Sequence, residues 1–246
     1  MQKKIRVGAV SYLNTKPLIY GLDHGIMNRQ AELIIDYPSR IASMLLKDEI
    51  DVGLVPVAII PEMKEHYIIS DYCIGSVGEV ASVCLFSQVP MEKIESVLLD
   101  YQSRTSIALL KVLIKNFWNI DVVFKETSGD YQSQIAGTTA GLVIGDRALQ
   151  QRKISPFIYD LGSEWKKFTG LPFVFAAWIS NKKLDDQFID EFNKANLFGL
   201  SKLDDVVREH PYEIFDLHHY YKDCISFDLD KNKRKGLELF LKMIEK

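Results

Sequence analysis

Short apolar runs, alternating with stretches whose apolar residues recur at helical spacing, organise most of this chain. Ile5–Val10 reads as a buried parallel strand, and a helix follows that Asn14 or Thr15 can cap and whose first turn Pro17 suits. Residues 31–37 make a second strand. Pro38 and Ser39 then introduce a helix carrying Ile41, Met44, Leu45 and Leu46 on one side, before a third strand at 51–57 that Pro56 ends or places where its missing N–H is not needed. Residues 67–74 and 79–86 read as further strands, and Pro90 marks a break.

A second alternation begins near Val97. It holds a strand at Leu98, a helix from Arg104 to Phe117, a strand at 122–124 and another at Leu142. The turn Gly170-Leu171-Pro172 leads into an uninterrupted apolar strand at 173–179, of the kind buried inside a sheet. From Leu184 onward the pattern is helical, with Phe188, Phe192, Leu197, Leu203, Val207, Ile214 and Phe215 in phase, then a last helix over 237–244. A chain that leaves one α/β lobe, builds a second and returns gives a two-lobed α/β architecture with a ligand cleft between the lobes. The expected division places residues 1–87 and 176–246 in one lobe and 88–175 in the other, with 79–87 and 173–180 as the crossing strands.

Three strand-to-helix junctions carry the polar groups that ligands use. In open α/β sheets such junctions bind anions, because free N–H groups and the helix dipole converge there. The first runs from Val10 through Ser11, Tyr12 and Asn14. The second is Asp100-Tyr101-Gln102-Ser103-Arg104-Thr105-Ser106, and the third places Gly145 where a ligand can approach the backbone and Asp146 where it can cap a helix. Together they predict a pocket of hydroxyl and amide groups suited to a small carboxylated ligand. Arg40, Arg104 and Arg147 also follow strand ends, either to meet a carboxylate or to make salt bridges.

Composition narrows the class. The 246 residues are 47% hydrophobic and 26% charged, with a net charge of −3, which is ample for a core and offers no basic stripe for nucleic acid. Lys233-Arg234-Lys235 reads as a solvated helix face. No apolar run approaches the roughly 18 to 20 residues that span a bilayer. Cys73, Cys84 and Cys224 lie far apart with no Cys-x-x-Cys pair, and no cleavable leader follows the first residues, so a cytoplasmic protein is expected. His218 and His219 with Asp223 and Cys224 have metal-ligand chemistry, but neighbouring helical residues point about 100° apart. No metal site is expected, nor a Ser or Cys triad, for want of a Gly-x-Ser-x-Gly elbow. Trp165 and Trp178 read as core.

The segments Ser11-Tyr12-Leu13-Asn14-Thr15-Lys16-Pro17-Leu18, Ile50-Asp51-Val52-Gly53-Leu54-Val55-Pro56-Val57, Asp100-Tyr101-Gln102-Ser103-Arg104-Thr105-Ser106, Ile144-Gly145-Asp146-Arg147-Ala148 and Thr169-Gly170-Leu171-Pro172-Phe173-Val174-Phe175-Ala176 resemble the chorismate dehydratase family of the futalosine route to menaquinone. The resemblance implies a type 2 periplasmic-binding-protein fold and a lyase that removes water from chorismate, without a cofactor, to give 3-[(1-carboxyvinyl)oxy]benzoate. It implies Asn14 and Ser82 as catalytic residues, and Ser103, Thr105 and Ser106 as the helix start that binds substrate. Ser11, Gly145 and Asp146 join the expected binding set from the junctions themselves. A binding protein for a small carboxylate and the related dihydroxynaphthoate synthase remain the alternatives, and oligomeric state is open. No histidine falls in the pocket segments, which leaves the substrate's own enolpyruvyl carboxylate as the expected proton acceptor, with Asp146 and Asp71 as protein alternatives.

Overall fold

A computed structural model of the chain describes residues 4–245. Strand β1 (Ile5–Val10), whose last four residues are all buried, leads through helix α1 (Lys16–Asp23) to β2 (Ala31–Asp36), and then through α2 (Pro38–Leu46) to β3 (Val52–Pro56). Both β2 and β3 pair with β1 in parallel, so the intervening helices are the crossovers that parallel pairing requires. β4 (Tyr67–Ser76) follows, and the chain then leaves this sheet for β5 (Val83–Ser87), β6 (Ser96–Leu99), α3 (Arg104–Leu113), β7 (Val123–Glu126), β8 (Thr139–Ile144), α4 (Asp146–Gln151) and β9 (Phe157–Asp160). α5 (Leu161–Thr169) brings it back to β10 (Phe173–Ser180). The remainder is α6 (Asp186–Leu200), α7 (Leu203–Glu209), the short α8 (Leu217–His219), β11 (Ser226–Asp228) and α9 (Lys231–Ile244).

The strands form two mixed sheets, one per lobe: six strands ordered β11-β4-β10-β3-β1-β2, and five ordered β7-β6-β8-β5-β9. β10 lies between β3 and β4 and runs antiparallel to both. Trp165 of α5 meets Phe173 of β10 and Phe240 of α9 edge-on, with centroids 5.2 and 6.1 Å apart, and so closes the core behind the returning strand.

The crossings differ from the sequence expectation. β5 starts at Val83 rather than 79 and pairs only with β8 and β9, so residues 83–87 belong to the second sheet. Phe173, Val174 and Phe175 belong to β10 in the first. The chain crosses at 77–82 and again through α5 and the turn after it. Residues 79–82 cannot pair as a strand because the buried Asp160 carboxylate takes the N–H groups of Val80 at 3.0 Å and Ala81 at 2.8 Å, holding Ala81 at φ 61°. The same carboxylate caps α5 through the Ser163 N–H.

Glycine sets how closely α1 approaches α6. A Cβ on Gly21 would stand 2.3 Å from the Ala195 carbonyl oxygen, and one on Gly199 would stand 2.0 Å from that of Pro17. The two backbones touch, which fixes where the N-terminus of α1 points. Two other expectations fail. Lys233 is buried, its ammonium donating to Ser226 Oγ at 2.6 Å and to the Asp228 carbonyl, so it ties α9 to β11 instead of facing water. Leu197, in phase with the apolar residues of α6, is exposed. The strands β9 and β11 and the helix α5 are too short or too polar to stand out by periodicity.

Asp51 joins β1, β3 and the end of β10. Burial pushes its carboxyl up, but hydrogen bonds from the Arg6 guanidinium, the Lys182 ammonium at 2.6 Å and the Arg6 N–H outweigh that and hold it well below the usual carboxylate range. A depressed folded-state pKa contributes stability above the unfolded value near 3.9 that disappears as pH falls through the folded one. Asp51→Asn is therefore expected to cost about 1 to 3 kcal/mol at neutral pH. The difference in melting temperature between variant and parent should shrink below roughly pH 4, near the unfolded carboxylate pKa. A constant difference from pH 7 to 3 would contradict this.

Candidate active site

The ends of β1, β3, β8 and β10 and the starts of α1, α2, α3 and α4 converge on one cavity between the sheets, of about 60 Å³. Its apolar wall includes Val10, Leu54, Ile74, Val83, Ile144 and Phe175. Its polar groups are Tyr12, Asn14, Thr15, Ser103, Thr105 and Ser106. Among the described residues that line it there is no Asp, Glu, His, Lys or Arg. A larger groove of about 430 Å³ between α3 and α9 carries Lys111 and Lys115 but gathers no helix N-termini.

The hydrogen bonds assign a direction to each polar group. The Thr15 hydroxyl donates to Asn14 Oδ1 at 3.3 Å, so the Asn14 amide NH₂ is left to donate. Ser103 caps α3 by accepting the Ser106 N–H at 3.1 Å, and its hydroxyl donates to Ser106 Oγ at 2.7 Å. Thr105 Oγ1 accepts the Ala58 N–H at 3.1 Å. Ser106 and Thr105 have thus each filled an acceptor position within the protein and keep a hydroxyl proton to donate. α1 begins after a 3-10 turn (Leu13–Thr15), and no side chain caps it. The expected cap by Asn14 or Thr15 is not made, because Thr15 turns to Asn14; the Thr15 and Lys16 N–H groups go instead to the Tyr12 and Leu13 carbonyls, and Pro17 has none. Neutral donors from Asn14 on one side and from Thr105 and Ser106 on the other make a site for anionic oxygen.

Gly145 has φ 63° and ψ −148°, and a Cβ there would stand 3.2 Å from three carbons of the Tyr12 ring. Asp146 does not cap α4. Its carboxylate reaches across to accept the Leu13 N–H at 3.2 Å, while its carbonyl accepts from Tyr212. Burial pushes the Asp146 carboxyl up, opposed by that N–H, Lys16 and Arg147. Asp146 is not among the lining groups, and neither is Ser11, which is exposed although Val10 and Tyr12 on either side of it line the wall. Ser82 is fully buried next to lining Val83, its hydroxyl accepting from Tyr220 at 2.7 Å and donating to the Val80 carbonyl at 3.4 Å. Asp71 is exposed on β4 and paired with Asn193, which removes it from the candidate bases.

Of the three arginines that follow strand ends, Arg104 and Arg147 make salt bridges and Arg40 does not line the cavity. Arg104 pairs with Glu62 at 2.8 Å, and Arg147 places one guanidinium nitrogen 2.9 and 2.8 Å from the two oxygens of fully buried Asp100, with Gln102 Oε1 at 3.0 Å. His219 contacts Asp223 at 2.9 Å and Cys224 at 3.6 Å, while His218 faces Asp204. Among the described residues no group of three or more His, Cys, Asp and Glu could hold a metal ion. Tyr12 and the tyrosines behind the site, Tyr212, Tyr220 and Tyr221, carry no local sequence signal. Their partners lie in distant segments.

Among proteins of known name, a chorismate dehydratase of Thermus thermophilus is 24% identical over 258 residues, covering 95% of this chain and 93% of that protein. A chorismate dehydratase of Campylobacter jejuni is 26% identical over 243 residues, covering 96% and 95%. The crystal structure of an Archaeoglobus fulgidus protein superposes with a TM-score of 0.74 at 14% identity, covering 98% of this chain and 97% of that one. A Candida albicans gene product described as having the generic periplasmic binding protein fold superposes with a TM-score of 0.64 at 12% identity, covering 99% and 90%. These likenesses establish the periplasmic-binding-protein fold. No helix among the described residues is long and apolar enough to cross a membrane. The family model for menaquinone biosynthesis matches residues 5–246, and the chain belongs to that family.

Proposed function

We propose that this chain is a chorismate dehydratase, a hydro-lyase that converts chorismate to 3-[(1-carboxyvinyl)oxy]benzoate and water. The observation that carries this reading is a cavity whose polar groups are all neutral and of which Asn14, Thr105 and Ser106 keep a proton to donate, in a chain of the menaquinone biosynthesis family. Chorismate brings two carboxylates, and uncapped helix starts with hydroxyl donors hold carboxylates without a lining cation. The hydrogen at ring C3 is vinylogous to the ring carboxylate, so its removal places charge on a group that those donors stabilise. Loss of the C4 hydroxyl then completes an aromatic ring, which supplies the driving force. The protein's task is orientation and charge stabilisation.

Asn14 donates to the developing anion, and Ser103, Thr105 and Ser106 seat a carboxylate at the start of α3. Ser82 adds a donor when its hydroxyl proton leaves the Val80 carbonyl and turns past Val83 into the cavity, with Tyr220 still donating to its oxygen. Gly145 lines the cavity but gives its open side to the Tyr12 ring rather than to the substrate, and Asp146 acts through the Leu13 N–H. Ser11 stands at the rim, one residue from the wall. The lobes divide at 77–82 and at the turn after α5. Three free, buried thiols accord with a cytoplasmic location.

The proton at C3 goes to the substrate's own enolpyruvyl carboxylate, since the lining offers no base. Purified protein should therefore convert chorismate to an aromatic product one water lighter with nothing added, as read by ultraviolet absorbance and product mass. Turnover should be nearly flat from about pH 6 to 9, because a substrate carboxylate ionises well below that range. Chorismate bound but unchanged would favour a binding protein. A limb near pH 7 removed by Asp146→Asn would make Asp146 the base.

A further inference from the structure

Tyr12 is the one polar side chain of the first lobe that lines the cavity and also bonds the second lobe. Its hydroxyl donates to Gln102 Oε1, across the cleft. That acceptor is fixed from behind: Arg147 donates to the same oxygen at 3.0 Å, and Arg147 is itself held by both oxygens of Asp100. Asp100 is fully buried and further accepts the Tyr131 hydroxyl at 2.8 Å, the Gln102 N–H at 3.0 Å and the Ile144 N–H at 3.2 Å. A buried carboxylate with this many donors keeps its network rigid whether or not the lobes are together. The Tyr12 ring has its own seat, the notch left by the missing side chain of Gly145. Burial pushes the Tyr12 phenol up to about 12, opposed by Arg147, so at neutral pH it is a donor.

We propose that Tyr12 is a positioning residue that latches the two lobes together over the substrate, with Gln102, Arg147 and Asp100 as its preorganised catch; this rests on the dehydratase reading. The cavity of about 60 Å³ is well under the 300 to 1,000 Å³ of typical ligand sites, so the latched form is closed and the lobes must part for a ligand to enter. The other bonds between the lobes near the site, Leu13 N–H to Asp146, Ala58 N–H to Thr105, the Tyr212 hydroxyl to the Asp146 carbonyl and Arg104 to Glu62, involve neither Tyr12 nor Gln102 and persist in the variants. The latch is therefore separable from the rest of closure by substitution.

The test uses the full chain with Tyr12→Phe, Gln102→Leu, Gln102→Glu and the double variant Tyr12→Phe/Gln102→Leu. Tyr12→Phe keeps the ring on Gly145 and removes the bond; Gln102→Glu keeps an acceptor for both Tyr12 and Arg147. One hydrogen bond changes the closed-to-open ratio by roughly 3- to 10-fold. Tyr12→Phe and Gln102→Leu should lower the single-turnover rate on chorismate by about that factor and weaken binding of 3-[(1-carboxyvinyl)oxy]benzoate alike. The double variant should be no worse than either single one, and Gln102→Glu should restore most of the rate. Small-angle scattering of ligand-free protein should show a larger radius of gyration in the two loss variants and not in Gln102→Glu. Parental rate and radius in Tyr12→Phe, or losses that multiply in the double variant, would overturn the latch. If the parent does not convert chorismate, the dehydratase reading fails, and the scattering still decides the latch.

Discussion

Asn14→Ala should lower the turnover of chorismate by roughly 100- to 1,000-fold, the loss seen when one preorganised donor is removed from a developing oxyanion, or about 2.7 to 4 kcal/mol. The Asn14 carbonyl oxygen is occupied by the Thr15 hydroxyl, and Thr15 is fully buried, so the amide presents its NH₂ to the cavity before substrate arrives. A donor placed in advance needs no reorganisation when charge develops. The alanine variant removes that donor and leaves the first turn of α1 unchanged, since the Asn14 side chain caps nothing. Its melting temperature should fall by about 2 to 12 °C, because the buried Thr15 hydroxyl loses its acceptor at about 1 to 3 kcal/mol, while the turnover number falls by orders of magnitude. Binding of the aromatic product, which has lost the transition-state charge, should weaken by less than the turnover does. Parental turnover in Asn14→Ala would remove this residue from the mechanism.

What the sequence made legible is local. Polar residues at strand-to-helix junctions follow from period and turn grammar within a few positions, and Asn14, Ser103, Thr105, Ser106 and Gly145 all reach the cavity wall. What it hid is set by partners far along the chain. Tyr12 meets Gln102, 90 residues away, and Ser82 meets Tyr220, 138 residues away. Asp146 shows the reason in one residue. Helix grammar gives its carboxylate to the nearest N–H groups, but the Leu13 N–H, 133 residues distant, takes it. Lys233 repeats the lesson, since a basic triplet on an amphipathic helix reads as solvated until β11 supplies acceptors for one of its members. Ser11 errs the other way: strand alternation turns it outward between two lining neighbours.

Gly145 is the glycine on the cavity wall, and there one methyl group should reach the site directly. Its φ of 63° with ψ of −148° lies in a region open almost only to glycine, and alanine there costs about 1 to 3 kcal/mol in backbone strain. For a chain of this size that is a fall in melting temperature of about 2 to 12 °C, at roughly 2 to 4 °C per kcal/mol. Strain is only half of the effect. The new Cβ would press on three carbons of the Tyr12 ring at 3.2 Å, so either the ring leaves its seat or the start of α4 moves. The first response opens the latch, and the second disturbs the Gly145 N–H to Ser82 bond of 2.8 Å and the reach of Asp146 to Leu13. Both displace groups from productive geometry, so turnover of Gly145→Ala should fall more than 10-fold, against about 100-fold for a 1 Å misplacement of reacting groups. Gly170→Ala separates the two causes, because Gly170 also has a positive φ, 75°, but open space where the Cβ would go. It should lose comparable stability and keep its turnover. Equal turnover in Gly145→Ala and Gly170→Ala would mean that the Tyr12 ring does not rest against residue 145 in the working enzyme.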